Sequence, residues 1–369
     1  MSALAVDPAL PQSADWHWQL RNAVGSVEAL RAAVALTDGE LEGARRAERQ
    51  GLPIRITPYY LSLVDPNDPH CPIRRQCVPD AREDDEVPGD LVDPLGEVAH
   101  EVAPRLIQRY PDRALLLATD QCAVYCRFCT RSRMVGSGEG PASLSVLAPA
   151  FEWLRAHREV RDVIVSGGDP LAMSTERISA LLAALRSVPS VETIRLATRV
   201  PVTLPMRVTR ELVERLRRYH PLWVMTHFNH PKELTAESTA ACERFADAGF
   251  PVMNQTVLLA GINDDATVLE TLFRGLVRVR VRPYYLLQAD PVRGTGHLRT
   301  PLDRGVKLMA ALQGRLSGIA IPRFICDTPG GRGKVPVTVP TVVARESGRT
   351  SLRTFRGEVV DYIDPPDRS

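Results

Sequence analysis

The sequence lacks the features that mark membrane and secreted proteins. No segment approaches the roughly 18 consecutive apolar residues that cross a bilayer. The first residues, MSALAVDPALPQSADWHW, have neither the basic start nor the apolar core of a secretory signal. The sequence also lacks an excess of charge, because 46 Lys and Arg face 44 Asp and Glu, which argues against a nucleic-acid coat or a membrane-surface binder. We therefore expect a cytoplasmic protein that acts on a small molecule, with neither nucleic acid nor membrane as a partner.

The cysteines do not form the pattern of a disulfide framework. There are seven, an odd number, in 369 residues, and three of them are bunched at Cys122, Cys126 and Cys129. Secreted disulfide-rich domains are short and have paired cysteines. The sequence also has no solenoid repeat and no long low-complexity tract, and its 44% of apolar residues can form a sizeable core. A folded protein with metal or redox chemistry at the cysteine cluster is the better interpretation.

Hydrophobic periodicity divides the chain into segments. Apolar residues recur at three- and four-residue steps from about Trp16 to Arg49, which predicts helix, and residues 53–96 are rich in Pro and Asp, which predicts an irregular connector. Six short apolar runs then predict strands, and helix-length segments lie between them. The runs begin at Ala114, Asp162, Thr193, Leu222, Val252 and Arg282, and the helices are expected at 175–187, 209–219, 236–248, 266–277 and 302–316. Further β-structure is expected at 322–327 and 335–364, with a turn at 346–349.

This alternation predicts an α/β fold with a parallel sheet, because six βαβ units make a three-quarter barrel or an open sheet. The expected parts are a helical N-terminal cap and connector at 1–105, a partial barrel at 106–320 and a C-terminal β-containing extension at 321–369. Ligands of such folds bind at the C-terminal ends of the strands. Polar or glycine-rich clusters lie at those ends, so one face is expected to collect 120–129, 166–169, 227–230, Gln255 and 290–297.

The sharpest motif is DQCAVYCRFCTRSR, in which Cys122, Cys126 and Cys129 are spaced C-x3-C-x2-C after the first barrel strand. Structural zinc sites take four protein ligands, and no fourth Cys or His lies near in the sequence. A [4Fe-4S] cluster held by three cysteines leaves one iron open for chemistry. The alternatives are three unrelated buried cysteines, or a zinc knuckle completed by a distant residue such as His227.

The cysteine motif, followed by SGGDP after the second strand, resembles the radical S-adenosylmethionine (radical SAM) enzymes. The resemblance implies a partial (βα)6 barrel of the radical SAM type, in which the three cysteines hold a [4Fe-4S] cluster and S-adenosylmethionine chelates the open iron. It also implies that Ser166, Gly167, Gly168 and Asp169 lie against the methionine part of S-adenosylmethionine, where glycine lets the backbone approach closely.

A second motif, DTPGGRGKVP at 327–336, places Lys334 at the end of a glycine-rich run. Such a lysine suits a phosphate grip or a Schiff base beside a backbone anion nest, while a surface turn is the alternative. The motif is not a P-loop, because Val335 follows the lysine where Ser or Thr is required.

Together with RYPDR, CTRSR, THFNHP, GIND, RPYY and GHLRTP, this motif resembles the lysine 2,3-aminomutase family over nearly the whole chain. The resemblance implies pyridoxal phosphate bound to Lys334 and the substrate α-carboxylate bound to Arg131. Arg109 and Arg113 are implied contacts of the cofactor phosphate, for which guanidinium forks are suited. His227 and Gln255 are implied contacts of S-adenosylmethionine.

The implied activity is that of an isomerase. A 5'-deoxyadenosyl radical removes hydrogen from Cβ of an amino acid held by pyridoxal phosphate, the nitrogen migrates from Cα to Cβ, and hydrogen returns to give a β-amino acid. An electron donor of the flavodoxin or ferredoxin type is implied as a partner, and the resemblance and the C-terminal β-structure together suggest a homo-oligomer. The intersubunit zinc site of some relatives is doubtful, because the C-terminal tail has no cysteine and Asp265 replaces the family cysteine after GIND.

The expected substrate is a cationic L-amino acid. Lysine-specific members of the family place two aspartates around the distal ammonium, and Asp290 and Asp327 stand at those positions. Two carboxylates in a closed pocket are unfavourable unless a cation neutralises them, so they favour L-lysine and disfavour glutamate. Alternatively, each aspartate caps a turn. The sequence departs from the family pattern at QADPVRG, which contains Asp290, and at Arg332 in the glycine-rich run. These departures leave L-arginine as an alternative substrate, since the planar donors of a guanidinium can bind two carboxylates.

Two rival functions are weaker. An aminomutase acting on a lysine of an elongation factor lacks the DTPGGRGK-type segment and the long C-terminal β-segment. A non-catalytic iron-sulfur protein needs neither SGGD nor Lys334 merely to hold a cluster. Phe128 stands where lysine enzymes often carry His, a departure that the sequence does not explain.

Overall fold

The computed structural model describes residues 14–365. Its helices are α1 Trp16–Arg21, α2 Val27–Ala33, α3 Asp38–Arg49, α4 Pro58–Ser62, α5 Arg74–Cys77, α6 Leu144–Ala156, α7 Thr175–Arg186, α8 Val200–Thr203, α9 Arg210–Arg217, α10 Ala236–Asp247, α11 Ala266–Arg278 and α12 Leu302–Leu312. The five helices predicted between strands are confirmed as α7 and α9 to α12. None of the helices in this part of the chain is long and apolar enough to cross a membrane.

The N-terminal segment is helical as predicted, but it forms three helices instead of one. New helices begin where a hydroxyl side chain caps them: Ser26 accepts a hydrogen bond from the N–H of Ala29, and Thr37 accepts one from Glu40. Such caps satisfy N–H groups that have no partner within the helix. The connector then has only short helical turns, because its prolines interrupt regular structure.

A ten-stranded sheet forms the centre of the molecule. Its strands are β1 Glu101–Ala103, β2 Leu106–Tyr110, β3 Arg113–Thr119, β4 Asp162–Gly167, β5 Thr193–Ala197, β6 Leu222–Thr226, β7 Val252–Leu258, β8 Arg282–Gln288, β9 Arg323–Thr328 and β10 Gly333–Pro336. They are hydrogen-bonded in this order. Pairing is parallel from β3 to β9, while β1, β2 and β10 are antiparallel.

The predicted fold class is confirmed, since the six predicted barrel strands are β3 to β8 and helices cover them. The strand expected at 322–327 is β9, and it adds a seventh parallel strand to the barrel. The sheet therefore continues across residue 320, the expected end of the barrel segment. The core lies between sheet and helices, where Val163 and Val165 of β4 and Ile194 and Leu196 of β5 are fully buried.

The two edges of the sheet approach each other through side chains. Tyr110, at the end of β2, accepts a hydrogen bond of 2.8 Å from the backbone N–H of Lys334 in β10. Arg109 of β2 forms an ion pair of 3.3 Å with Asp327 of β9. The barrel is not closed by strand pairing, because β1 and β10 are the two ends of the sheet. The side-chain contacts between β2 and the strands β9 and β10 connect the two sides of the opening instead.

A separate three-stranded antiparallel sheet follows the barrel. It contains β11 Val342–Glu346, β12 Arg349–Arg353 and β13 Val359–Ile363. The predicted turn at 346–349 is confirmed as the connection between β11 and β12. Its outer strands expose large apolar side chains: Val342, Val343, Val359, Val360, Tyr362 and Ile363.

Candidate active site

A cavity of about 540 Å³ opens at the C-terminal ends of the barrel strands. All fifteen site residues predicted from the sequence line it: Arg109, Arg113, Cys122, Cys126, Cys129, Arg131, Ser166, Gly167, Gly168, Asp169, His227, Gln255, Asp290, Asp327 and Lys334. Most of them meet because the parallel strands all end at one face, whereas Arg109 and Arg113 reach the cavity from β2 and from the first residue of β3. The roles of the individual residues stay predictions.

The loop after β3 carries the three cysteines and is closed into a ring by Asp120. The buried Asp120 carboxylate accepts hydrogen bonds from the N–H groups of Gly138 and Gly140, at 2.7 and 2.8 Å. On the outer side, Arg127 donates to the buried Glu83 at 2.7 Å and to the carbonyl of Leu52 at 3.1 Å. The loop is therefore fixed both to its own end and to the N-terminal segment.

The three thiols are free and face the cavity. Burial raises the pKa of Cys129 to about 11 and that of Cys122 well above its usual value, and the neighbouring cysteines add to both shifts. A positive cluster would reverse these shifts, because a metal-bound thiol is deprotonated. Within residues 14–365, no three Cys, His, Asp or Glu side chains are grouped so that they could hold a single metal ion. Three free thiols that line one cavity are compatible with a multi-iron cluster, in which each cysteine binds a different iron.

The glycines of SGGD pack against the start of the cysteine loop. A Cβ atom on Gly167 would lie 2.3 Å from the carbonyl oxygen of Thr119, and one on Gly168 would lie 2.3 Å from that of Gln121. In addition, the N–H of Asp169 donates to the Gln121 carbonyl at 2.7 Å. The close approach that these glycines permit is therefore to the backbone just before Cys122, which joins the two motifs into one unit.

Asp169 itself anchors the loop after β5. Its carboxylate accepts hydrogen bonds from the Thr198 hydroxyl at 2.7 Å and from the N–H groups of Arg199 and Leu171, at 2.6 and 3.0 Å. Burial raises the pKa of Asp169, and these hydrogen bonds oppose that shift. The Asp169 carboxylate thus accepts three hydrogen bonds from the protein, and the residue also lines the cavity.

His227 and Gln255 line the same cavity from β6 and β7. Burial, and then the charge of Arg199, lower the pKa of His227 to about 3. The imidazole is therefore neutral near pH 7. Its Nε2 lies 3.0 Å from the Oδ1 of Asn229, and because that oxygen accepts hydrogen bonds, Nε2 is the nitrogen that carries the proton. Phe128 packs with Leu259 and its ring lies 5.5 Å from that of His227, so this departure from the family fills an apolar wall.

Lys334 lies directly opposite Asp327 in the antiparallel pair of β9 and β10. Its Nζ contacts the Asp327 carboxylate, and Arg109 donates to the same carboxylate at 3.3 and 3.4 Å. The buried Asp327 carboxylate is therefore paired with two cations, Lys334 and Arg109. The turn between the strands is held by the connector, because the N–H of Gly330 donates to the carbonyl of Pro94 at 2.9 Å.

Asp290, just after β8, is the second carboxylate of this wall. Burial, and then the charge of Asp327, raise the pKa of Asp290 to about 7, although Lys334, Arg109 and Arg131 oppose the shift. It therefore gains a proton much more readily than an exposed aspartate. Arg332 is exposed and does not belong to the cavity lining.

Arg131 enters the cavity from the cysteine loop and is oriented by Glu97. Its Nε and Nη2 both lie 2.8 Å from the Oε1 of Glu97, and its Nη1 donates to the Ser166 hydroxyl at 3.3 Å. Arg133 donates to the other oxygen of Glu97 at 3.0 Å. Burial opposes ionisation of Glu97, but the two arginines outweigh it and lower its pKa. Glu97 therefore holds both guanidinium groups, and Arg133 is also paired with Asp93 at 3.6 Å.

Arg113, the remaining predicted phosphate contact, stacks on the ring of Tyr110, with its Cζ 3.8 Å from the ring centroid. It also pairs with the exposed Asp112 at 3.0 Å. Arg109 and Arg113 thus flank Tyr110 on the wall that carries Lys334, although Arg109 is engaged with Asp327.

Sequence reasoning missed Glu97 and Arg199. Glu97 lies directly after the connector, where no periodic pattern indicated a buried side chain. Arg199 lies just after β5 and lines the cavity, so the rule that ligands collect at strand ends applies to it as it does to the other site residues. The polar pair Thr198 and Arg199 after the run TIRLA is the signal that identifies it.

Comparisons with known proteins agree with this geometry. The sequence matches the family model of the Radical SAM superfamily over residues 116–272 and that of Lysine-2,3-aminomutase over residues 309–369. An L-lysine 2,3-aminomutase of Clostridium subterminale is 46% identical over 95% of this chain and 84% of that protein. One of Bacillus subtilis is 43% identical over 95% of this chain and 74% of that protein. A glutamate 2,3-aminomutase of Clostridioides difficile is 40% identical over 95% and 84%.

Proposed function

Because this chain belongs to the lysine 2,3-aminomutase family of radical S-adenosylmethionine enzymes, we propose that it moves the α-amino group of L-lysine to Cβ, giving β-lysine. It is an isomerase whose cofactors are a [4Fe-4S] cluster, S-adenosylmethionine and pyridoxal phosphate. The observation that carries the choice of substrate is the charge arrangement of the cavity, in which Arg131 and the carboxylates Asp290 and Asp327 line one space.

The residues present fit these cofactors. Three free thiols and the backbone of Gly168 stand beside each other for the cluster and S-adenosylmethionine, while Lys334 faces the cavity from the opposite edge of the sheet. Together the cofactors supply a radical that removes hydrogen and a carrier for the migrating nitrogen. The protein supplies positioning and excludes water.

At one end of the substrate, Arg131 is proposed to bind the α-carboxylate. Glu97 holds its Nε and Nη2, so Nη1 is the nitrogen that remains directed toward Ser166 and the cavity. A guanidinium held in this way binds a carboxylate without first losing side-chain freedom.

At the other end, Asp327 and Asp290 are proposed to bind the ε-ammonium. Lys334 binds pyridoxal phosphate only when its Nζ leaves Asp327, and the carboxylate then loses one of its two cations. The ammonium of lysine restores the balance of charge. It also lowers the pKa of Asp290, because a nearby cation favours the charged form of a carboxyl group. A substrate with an anionic side chain would add a third negative charge at this wall.

The partners are also proposals. A one-electron donor of the flavodoxin or ferredoxin type reduces the cluster. The large apolar side chains exposed on β11 and β13 support a homo-oligomer, since exposed apolar surface favours association, and light scattering measures its size. Seven free cysteines support a reducing compartment, the cytoplasm.

The test is anaerobic reconstitution with iron, sulfide and pyridoxal phosphate, followed by reductant and S-adenosylmethionine, with L-lysine, L-arginine or L-glutamate supplied separately. Mass spectrometry is expected to detect β-lysine. Asp290→Asn should lower its formation strongly, while Asp85→Asn, at an exposed site outside the cavity, should not. If only arginine gives product, the pocket binds a guanidinium substrate instead of an ammonium. If only glutamate gives product, the proposed roles of both aspartates are wrong.

A further inference from the structure

Arg199 brings a guanidinium into contact with one of the three cavity thiols. It follows β5 and is 8% exposed. Its Nη1 lies 2.7 Å from the Sγ of Cys126, the middle cysteine of the motif. No role in holding a cofactor was predicted for Arg199 from the sequence, and it is too buried to serve as a surface charge.

The guanidinium is held on every other side. Nη2 donates to Glu233 at 2.7 Å and to Gln76 at 2.6 Å, and Nε donates to the carbonyl of His227 at 3.2 Å. Glu233 is itself fully buried and accepts hydrogen bonds from the N–H groups of Asn229 and His230, at 2.6 and 3.0 Å. Removing Arg199 would therefore leave Glu233 as an unpaired buried charge.

The backbone and the faces of Arg199 are fixed as well. Its N–H donates to the Asp169 carboxylate at 2.6 Å. Its Cζ lies 5.3 Å from the ring centroid of Phe128 and 5.4 Å from that of Tyr60. With the side chain fixed along its length, Nη1 stays directed at Cys126, and the Asp169 of SGGD is linked to the cysteine motif through Arg199.

We propose that Arg199 is a positioning residue that donates a charge-assisted hydrogen bond to the Cys126 thiolate and thereby raises the reduction potential of the [4Fe-4S] cluster. The proposal rests on the proposed function in one respect, that Cys126 is a ligand of the cluster. Hydrogen bonds to the ligating sulfurs and nearby charge set the potential of such clusters. Reduction adds an electron, and a cation held against a ligating sulfur stabilises the more negative state more strongly.

The experiment measures the midpoint potential of the reconstituted cluster by EPR-monitored redox titration, without S-adenosylmethionine, pyridoxal phosphate or substrate. The variants are Arg199→Lys, which keeps a charge but loses the fork, and Arg199→Met. A double variant, Arg199→Met with Glu233→Gln, removes the unpaired carboxylate and keeps the test valid if Arg199→Met does not fold. The control is Arg186→Gln, which removes a partly buried arginine that donates only to carbonyls such as that of Tyr219.

We expect the potential to fall in Arg199→Met and in the double variant, so that the ratio of reduced to oxidised cluster at a fixed potential decreases about tenfold, which is about 59 mV for a one-electron couple. Arg199→Lys should fall between these variants and the wild type, and Arg186→Gln should equal the wild type. Iron and sulfide contents check in the same samples that the cluster is present, so absence of any cluster in the wild type would refute the proposed function instead.

Three results would overturn the proposal. The first is an unchanged potential in Arg199→Met or the double variant with a full cluster. The second is loss of the cluster from both variants with the fold retained, which would make Arg199 a requirement for assembly. The third is weaker binding of S-adenosylmethionine with an unchanged potential, which would assign the guanidinium to the carboxylate of that ligand.

Discussion

The substitution Asp290→Asn is expected to impair the reaction of lysine and yet to stabilise the empty protein, increasingly so as the pH rises. Burial and the charge of Asp327 raise the pKa of Asp290 from 3.8 to about 7 in the folded protein, whereas an unfolded chain has an aspartate pKa of about 3.9. The folded state therefore binds more protons between these values, so the free energy of unfolding falls as the pH rises through this window. Asparagine carries no such cost.

The magnitude follows from the shift. About three pKa units at about 1.36 kcal/mol each give a cost of about 4 kcal/mol above pH 7, an upper value because water in the cavity screens the charge. A change in packing would alter the free energy of unfolding equally at every pH, so the pH-dependent part of the difference between variant and wild type reports the ionisation of Asp290. From about pH 5.5 to about pH 8.5, the advantage of Asp290→Asn should grow by up to about 2 kcal/mol, since about 1.5 pKa units of titration remain in that interval.

Thermal unfolding of the protein without iron or pyridoxal phosphate, followed by circular dichroism, measures the effect. For 369 residues, an unfolding entropy of about 0.8 kcal/mol/K converts about 2 kcal/mol to about 3 °C. Asp85→Asn, at an exposed position, should show no such dependence. The reasoning is wrong if the advantage of Asp290→Asn is the same at both pH values, or if the variant is less stable than the wild type at the higher pH.

Three further substitutions test other parts of the site. Lys334→Ala should abolish the Schiff-base absorbance of bound pyridoxal phosphate while iron and sulfide contents stay unchanged, and a retained band would contradict its role. Glu97→Gln should raise the KM for lysine about tenfold or more, since a hydrogen bond to a charged group contributes about 1.5–3 kcal/mol, and an unchanged KM would show that Arg131 needs no anchor. Gly168→Ala should lower the cluster content, because its Cβ would lie 2.3 Å from the Gln121 carbonyl oxygen. Gly39→Ala, a helical position with no atom within 4 Å of the added Cβ, should be neutral or stabilising, and equal cluster loss in both glycine variants would refute the packing argument.

The sequence by itself determined the order of the barrel elements and the face on which the site lies. Alternating apolar runs and amphipathic segments are local patterns, and β3 to β8 follow them closely. The spacing of Cys122, Cys126 and Cys129 is equally local. Because parallel strands all end at one face, motifs far apart in the chain were expected to meet, and they line one cavity.

Only the tertiary structure decided which charges face each other in that cavity. Glu97 holds Arg131 from 34 residues away, Arg199 reaches Cys126 across 73 residues, and Arg109 meets Asp327 across 218 residues. No sequence pattern specifies such pairs, because they depend on how the connector and the two sheet edges pack together. The pKa of Asp290 has the same origin, since it is set by burial and by a carboxylate on another strand. Residue types and their order thus predicted the chemistry of the site, while long-range packing established its electrostatics.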